Sequence, residues 1–227
     1  PLPPLPALRP PGNWRAVPIA PVAEPLVPVA GIPGTVDDPR YFAMGLPGAR
    51  AHNSLRAGVA ERLARVAERL PDGLTLVVWD GWRSFDTQRA LYDGWAAELR
   101  RDHPEWDDDT VARETARYVS VPSTDPACPA PHVTGAAVDL TLGDGDGQPL
   151  DLGTEFDAFV PEAGAMALEA VPGDARELRR VLFWAMAAQG FTAYVEEWWH
   201  FDFGDQFWGS ITGQPARYGP IHPTDEG

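Results

Sequence analysis

Lysine is absent from this chain. All 18 Lys and Arg positions are Arg, set against 33 Asp and Glu, for a net charge of -15. A field of that sign repels phosphate backbones and anionic lipid surfaces, which argues against nucleic-acid and membrane binding. Cysteine is nearly absent as well: with Cys128 alone, neither an intrachain disulfide nor a cysteine zinc cluster can be built, and Cys128 reads as a small residue in a Pro-rich loop. No apolar run approaches the length of a membrane span, and no internal repeat is visible. The chain begins at Pro1 without Met or a signal-like apolar segment, so a removed leader is one expectation and the compartment stays open.

What is present is ample core material. The 227 residues are 44% hydrophobic and include nine Trp and nine Phe, enough to fill one domain with appendages. Proline density over residues 1–39 disfavours helix and predicts an extended arm packed along a single domain covering 40–227. A helix is predicted from Asn53 or Ser54, with Leu55, Val59, Leu63, Val66 and Leu70 on one face and Pro71, Asp72 and Gly73 as its stop. A buried strand follows over 74–80, then a helix over 84–102 with Phe85, Gln88, Leu91, Trp95 and Leu99 in one stripe. Asp107, Asp108 and Asp109 read as the cap and first turn of a short helix reaching about Tyr118. Strands are expected near 137–142, 191–195 and 198–203, and a helix over 174–189 closed by Gly190. The fold class is α+β, helices against a mainly antiparallel sheet.

Two stretches carry chemistry. In YVEEWWHFDF, residues 194–203, a strand beginning at Trp198 would place Trp198, His200 and Asp202 on one face, with Glu197 just before it. In PHVTGAAVDLTL, residues 131–142, His132 sits on a Gly-containing bend and Asp139 lies in a short β-type run. His132, Asp139 and His200 make a set of two imidazoles and one carboxylate that leaves Zn²⁺ an open position for water, as in hydrolytic sites, with Glu197 as general base. Such a set also suits Fe²⁺ or Co²⁺. The remaining candidates read as structural: His52 and His103 lack metal-like spacing, and GDGDGQ lacks the closing Glu of a calcium loop and reads as a hairpin turn.

The motifs WDGWRS, HVTGAAVDLTL, LGTEFDAF and GFTAYVEEWWHF, in that order over residues 40–203, resemble the VanX-type D-Ala-D-Ala dipeptidases of the zinc D-Ala-D-Ala metallopeptidase group. The resemblance implies a hedgehog/DD-peptidase-like fold with one zinc per chain on the sheet, a small dipeptide substrate, and a cytoplasmic setting. It implies zinc ligands His132, Asp139 and His200 and the base Glu197. It further implies that Arg83 stabilises the tetrahedral intermediate and that Asp157 binds the free amino terminus of the dipeptide. The chain departs from the pattern at Ala130, where members commonly carry Ser, and at Ser84, where Pro is usual. Two alternatives stay open at this point: a peptidoglycan D,D-carboxypeptidase or endopeptidase, and an inactive zinc-containing protein that binds a cell-wall ligand.

Overall fold

The computed structural model describes residues 2–221. Among these described residues, seven strands carry the frame: β1 (Leu26–Pro28), β2 (Thr35–Asp37), β3 (Ser54–Arg56), β4 (Thr75–Asp80), β5 (Ala137–Gly143), β6 (Thr192–Ala193) and β7 (His200–Asp202). Six helices complete it: α1 (Arg40–Ala43), α2 (Ala57–Ala67), α3 (Phe85–Asp102), α4 (Asp108–Tyr118), α5 (Asp174–Ala187) and α6 (Gln206–Thr212). The five-stranded sheet runs β2-β4-β5-β7-β6, and β1 pairs with β3 in a separate ribbon. All pairs are antiparallel except β2 with β4. This is the α+β architecture expected, with one parallel pair that the sequence pattern did not announce.

Burial sets the register. Along β5, Val138, Leu140 and Leu142 are fully buried in the main core, beside Leu63 and Val66 of α2 and Leu182 and Met186 of α5. Each such side chain contributes roughly 1.5–3 kcal/mol, and a one-residue slip would turn all three out of that core. Asp139 therefore points to the opposite face. There it stands beside His200 on β7 and, across a bulge, Asp80 at the end of β4, so three ionisable residues form one cross-strand row.

Several boundaries move. The helix predicted from Asn53 begins at Ala57, because Ser54–Arg56 pairs with β1 and the Arg56 N–H donates to the Gly135 carbonyl. Leu55 is accordingly a strand residue. Strands predicted over 191–195 and 198–203 shrink to Thr192–Ala193 and His200–Asp202. Trp198 does not share the face of His200 and Asp202, but packs in the core against Trp79 and Trp199. Residues 1–39, expected as an extended arm, include a 3-10 turn at Trp14–Ala16 and the strands β1 and β2, the latter an edge of the main sheet; ahead of them Leu5 is buried, and the Trp184 Nε1–H donates to the Pro3 carbonyl. Asp107 caps α4 by accepting from the Thr110 N–H, and Ser84 caps α3 by accepting from the Thr87 N–H.

Candidate active site

A turn of 3-10 helix, Pro131–Thr134, delivers His132 to the sheet. It ends on Gly135 at φ 72, a left-handed conformation that favours glycine, and a Cβ there would come within 2.7 Å of Leu26 Cδ2. His132, Asp139 and His200 are all buried, and one ligand atom from each lies within 4.8 Å of the others.

The outer nitrogens of both rings are committed. His132 Nδ1 is 2.8 Å from the Gly81 carbonyl oxygen, which can only accept, so Nδ1 carries the proton and Nε2 presents a lone pair. Asp80 Oδ2 lies 3.1 Å from the same nitrogen. His200 Nε2 is 2.9 Å from Asp202 Oδ1, which leaves Nδ1 facing inward. The two inward nitrogens stand 3.2 Å apart, with Asp139 Oδ1 at 3.0 Å from His200 Nδ1 and Oδ2 at 3.4 Å from His132 Nε2. Two imidazole lone pairs and a carboxylate this close, with the outer nitrogens of both rings already donating, repel one another unless a cation or a proton lies between them. The residues fit a divalent cation, and two imidazoles with one carboxylate suit zinc.

The electrostatics follow from that crowding. Burial pushes His200 toward neutrality, but Asp202 and Asp139 override it and hold the imidazole well above its usual range. Burial pushes Asp139 up, and the two imidazoles override it and hold the carboxyl below the usual range. Glu197, buried and 3.9 Å from His200 Nδ1, is pushed well up by burial.

Arg83 reaches the same place from the turn after β4. Its Nε donates to Asp80 Oδ2 at 2.9 Å and Nη1 to Gln88 Oε1 at 2.9 Å, while Nη2 keeps only long contacts, 3.4 Å to Tyr41 Oη and 3.6 Å to Asp139 Oδ2. The guanidinium is thus anchored on two edges and open on the third.

Asp157 occupies the far side. It is the one non-glycine residue with positive φ among the described residues, at 57°, and its Oδ2 accepts from Tyr41 Oη at 2.9 Å. Burial, then the nearby Asp139, pushes its carboxyl up to about 7. A strained backbone and a perturbed acid in one cleft mark a functional position. His132, Asp139, His200, Glu197, Arg83 and Asp157 all line one cleft, walled by Tyr118, Phe159, Tyr194 and Phe207. Every site residue singled out in the sequence is brought together there.

The sequence pattern missed three supporting groups: Tyr41, Gln88 and Asp202. Asp202 had a usable signal, two residues after His200 on the same strand face. Tyr41 had none, since it lies on a four-residue helix 116 positions before the Asp157 that it bonds.

The chain is 32% identical over 219 residues to a D-alanyl-D-alanine dipeptidase of Synechocystis sp., covering 86% of this chain and 88% of that protein. It is 31% identical over 156 residues to a D-alanyl-D-alanine dipeptidase of Enterococcus faecium, covering 65% and 72%. Among solved structures, VanYB in complex with D-alanine-D-alanine superposes with a TM-score of 0.46 at 16% identity, over 75% of this chain and 84% of that one. The sequence profile of the peptidase M15 family, D-ala-D-ala dipeptidase, matches residues 51–217, and the chain belongs to that metallopeptidase family.

Proposed function

We propose that this protein hydrolyses D-Ala-D-Ala to two D-Ala in bacterial cell-wall turnover or glycopeptide resistance, using one zinc ion held by His132, Asp139 and His200. The observation that carries the reading is the convergence of three buried lone pairs beside a buried Glu, an Arg with one open edge and a perturbed Asp, all lining one cleft. A divalent cation there supplies Lewis acidity, which lowers the pKa of water toward 7 and polarises a carbonyl.

The remaining work falls to side chains. Asp157, as carboxylate, pairs with the free ammonium of the dipeptide and sets its direction in the cleft. Glu197 takes a proton from the attacking water as the new C–O bond forms, and delivers it to the amine nitrogen as the C–N bond breaks. Its burial favours the protonated form, so it gives up the cost of an uncompensated charge when it accepts. Arg83 Nη2 donates to the scissile oxygen as negative charge develops; Asp80 and Gln88 hold the guanidinium so that it need not reorganise. The aromatic walls exclude bulk water and strengthen each of these interactions.

The test is release of free D-Ala from D-Ala-D-Ala by the zinc-loaded protein, with N-acetyl-D-Ala-D-Ala and L-Ala-L-Ala beside it. Cleavage of the free D,D-dipeptide alone is expected. Equal cleavage of the acetylated compound would move the protein to the carboxypeptidases, and silence toward all three would overturn hydrolysis of this bond.

A further inference from the structure

The loop carrying Asp157 runs from Leu152 to Gly164, and a single side chain ties its two ends together. Arg179, on α5 and 4% exposed, donates Nε to the Leu152 carbonyl at 2.7 Å, Nη1 to the Gly164 carbonyl at 2.9 Å and Nη2 to the Glu162 carbonyl at 3.0 Å. Leu152 precedes Asp157, and Glu162 follows it, by the same number of residues. The guanidinium lies over the Trp198 ring, 5.4 Å from its centroid, and the Trp198 Nε1–H donates to Thr154 Oγ1 at 2.8 Å.

This arrangement has a cost that packing alone does not explain. All three hydrogen-bond partners of the buried guanidinium are neutral carbonyls, and burial pushes Arg179 down to about 10. An apolar side chain would cover Trp198 without burying a charge. What an apolar residue, or a lysine, cannot do is present a planar fork to three acceptors on two chain segments at once. The loop has reason to need it. Asp157 holds φ 57, a conformation that persists only where its surroundings over-determine it. Gly153, at φ 98, packs so closely that a Cβ would lie 2.7 Å from Leu168 Cδ1 and 3.5 Å from Arg179 Nη2.

We infer that Arg179 is a positioning residue for substrate selection, clamping both ends of this loop so that Asp157 is fixed as the receptor for a free amino group. The inference rests on the dipeptidase reading above and on Asp157 as the amine partner within it. Loosening the clamp leaves the metal ligands, Glu197 and Arg83 in place and blurs the distinction between free and N-acylated substrates.

The experiment compares Arg179→Lys, Thr154→Val and Asp157→Asn with the parent, all zinc-loaded, on D-Ala-D-Ala and its N-acetyl derivative. Arg179→Lys is expected to raise KM for the free dipeptide about tenfold with kcat nearly unchanged, and to lower the ratio of kcat/KM for free over acetylated substrate by a similar factor. Amide hydrogen exchange across 152–164 should accelerate while zinc affinity holds. Thr154→Val, which loosens the same loop through Trp198, should move the ratio the same way and decides the matter if Arg179→Lys does not fold. An unchanged ratio in both clamp variants, with Asp157→Asn lowering it, overturns the clamp alone. An unchanged ratio in Asp157→Asn sinks the amine-binding role of Asp157 and the clamp's selectivity with it.

Discussion

Replacing Asp202 with Ala should weaken metal binding without touching a ligand. In the parent, His200 Nε2 donates to Asp202 Oδ1 at 2.9 Å, with His200 5% and Asp202 2% exposed, so no bulk water competes for that proton. A charge-assisted hydrogen bond of this kind contributes about 1.5–3 kcal/mol. Its loss lets the ring rotate or change tautomer, and either removes the Nδ1 lone pair from the site. The expected drop in zinc affinity is about 10–100-fold. Asp202 stands opposite the small Ala137, so a water can enter the hole left by the side chain and accept from Nε2, which places the expectation near the lower bound. Asp202→Asn keeps an acceptor without the charge and should lose less than about tenfold. Competition against a chromophoric chelator at neutral pH measures both. A dissociation constant in Asp202→Ala equal to that of the parent would refute the claim that Asp202 acts through His200, even if turnover fell.

Three further outcomes follow from the same geometry. Glu197→Ala should retain the metal and lose about 10²–10⁴ in kcat, checked by zinc content together with D-Ala release; an active, zinc-replete variant removes Glu197 from the chemistry. Arg83→Met, judged by kcat against zinc affinity, should cost about 10²–10³ in kcat with the metal retained, because Nη2 is the one edge of the guanidinium free to meet a developing oxyanion. Asp157, pushed up to about 7 in the fold from an ordinary 3.8, gives stability that is fully present below 3.8 and lost as pH rises through 7. Asp157→Asn should therefore gain on the parent in metal-free melts as pH rises from 5 to 8, by on the order of 2 kcal/mol for this half-buried group; a constant difference across that range contradicts the raised pKa.

The chemistry of the site was more legible in the sequence than its architecture. His132, Asp139, His200 and Glu197 are residue types with few other uses at such spacings, and each sits in a short stretch whose local pattern is visible. Asp139 could be placed on its face because Val138, Leu140 and Leu142 alternate around it. The supports were hidden for a different reason: Tyr41 and Arg179 act by contacts between segments far apart in the chain, Gln88 lies only five residues from Arg83 but reads as one more position of a helical stripe, and nothing about a Tyr after an Arg or an Arg on an amphipathic helix announces its partner. The short strands failed for want of length. Two or three residues cannot display a period, so β6 and β7 were overextended, and β3 was absorbed into the helix that follows it. Parallel pairing of β2 with β4 depends on a connection through α1, β3 and α2 that no local signal encodes.

Such a site is a concentration of one charge. Asp80, Asp139, Asp157, Glu197, Asp202 and Asp205 surround a single guanidinium, that of Arg83, and two imidazoles. The chain tolerates this in two ways that can be told apart by position. Around the ligands, three acids have a defined donor: Arg83 for Asp80, His200 for Asp202 and Tyr41 for Asp157. One step farther out, Asp205 caps α6 through Oδ1, yet its Oδ2 is buried without a donor beside Asp202, and burial followed by that neighbour pushes its carboxyl well up. A proton there lets Asp205 donate to Asp202, which in turn accepts from His200. The excess negative charge left inside this shell faces the three inward ligand atoms, where a divalent cation relieves it most. The acid surplus that argues against a nucleic-acid partner for the whole chain is, at this one place, the reason that the fold and the metal suit each other.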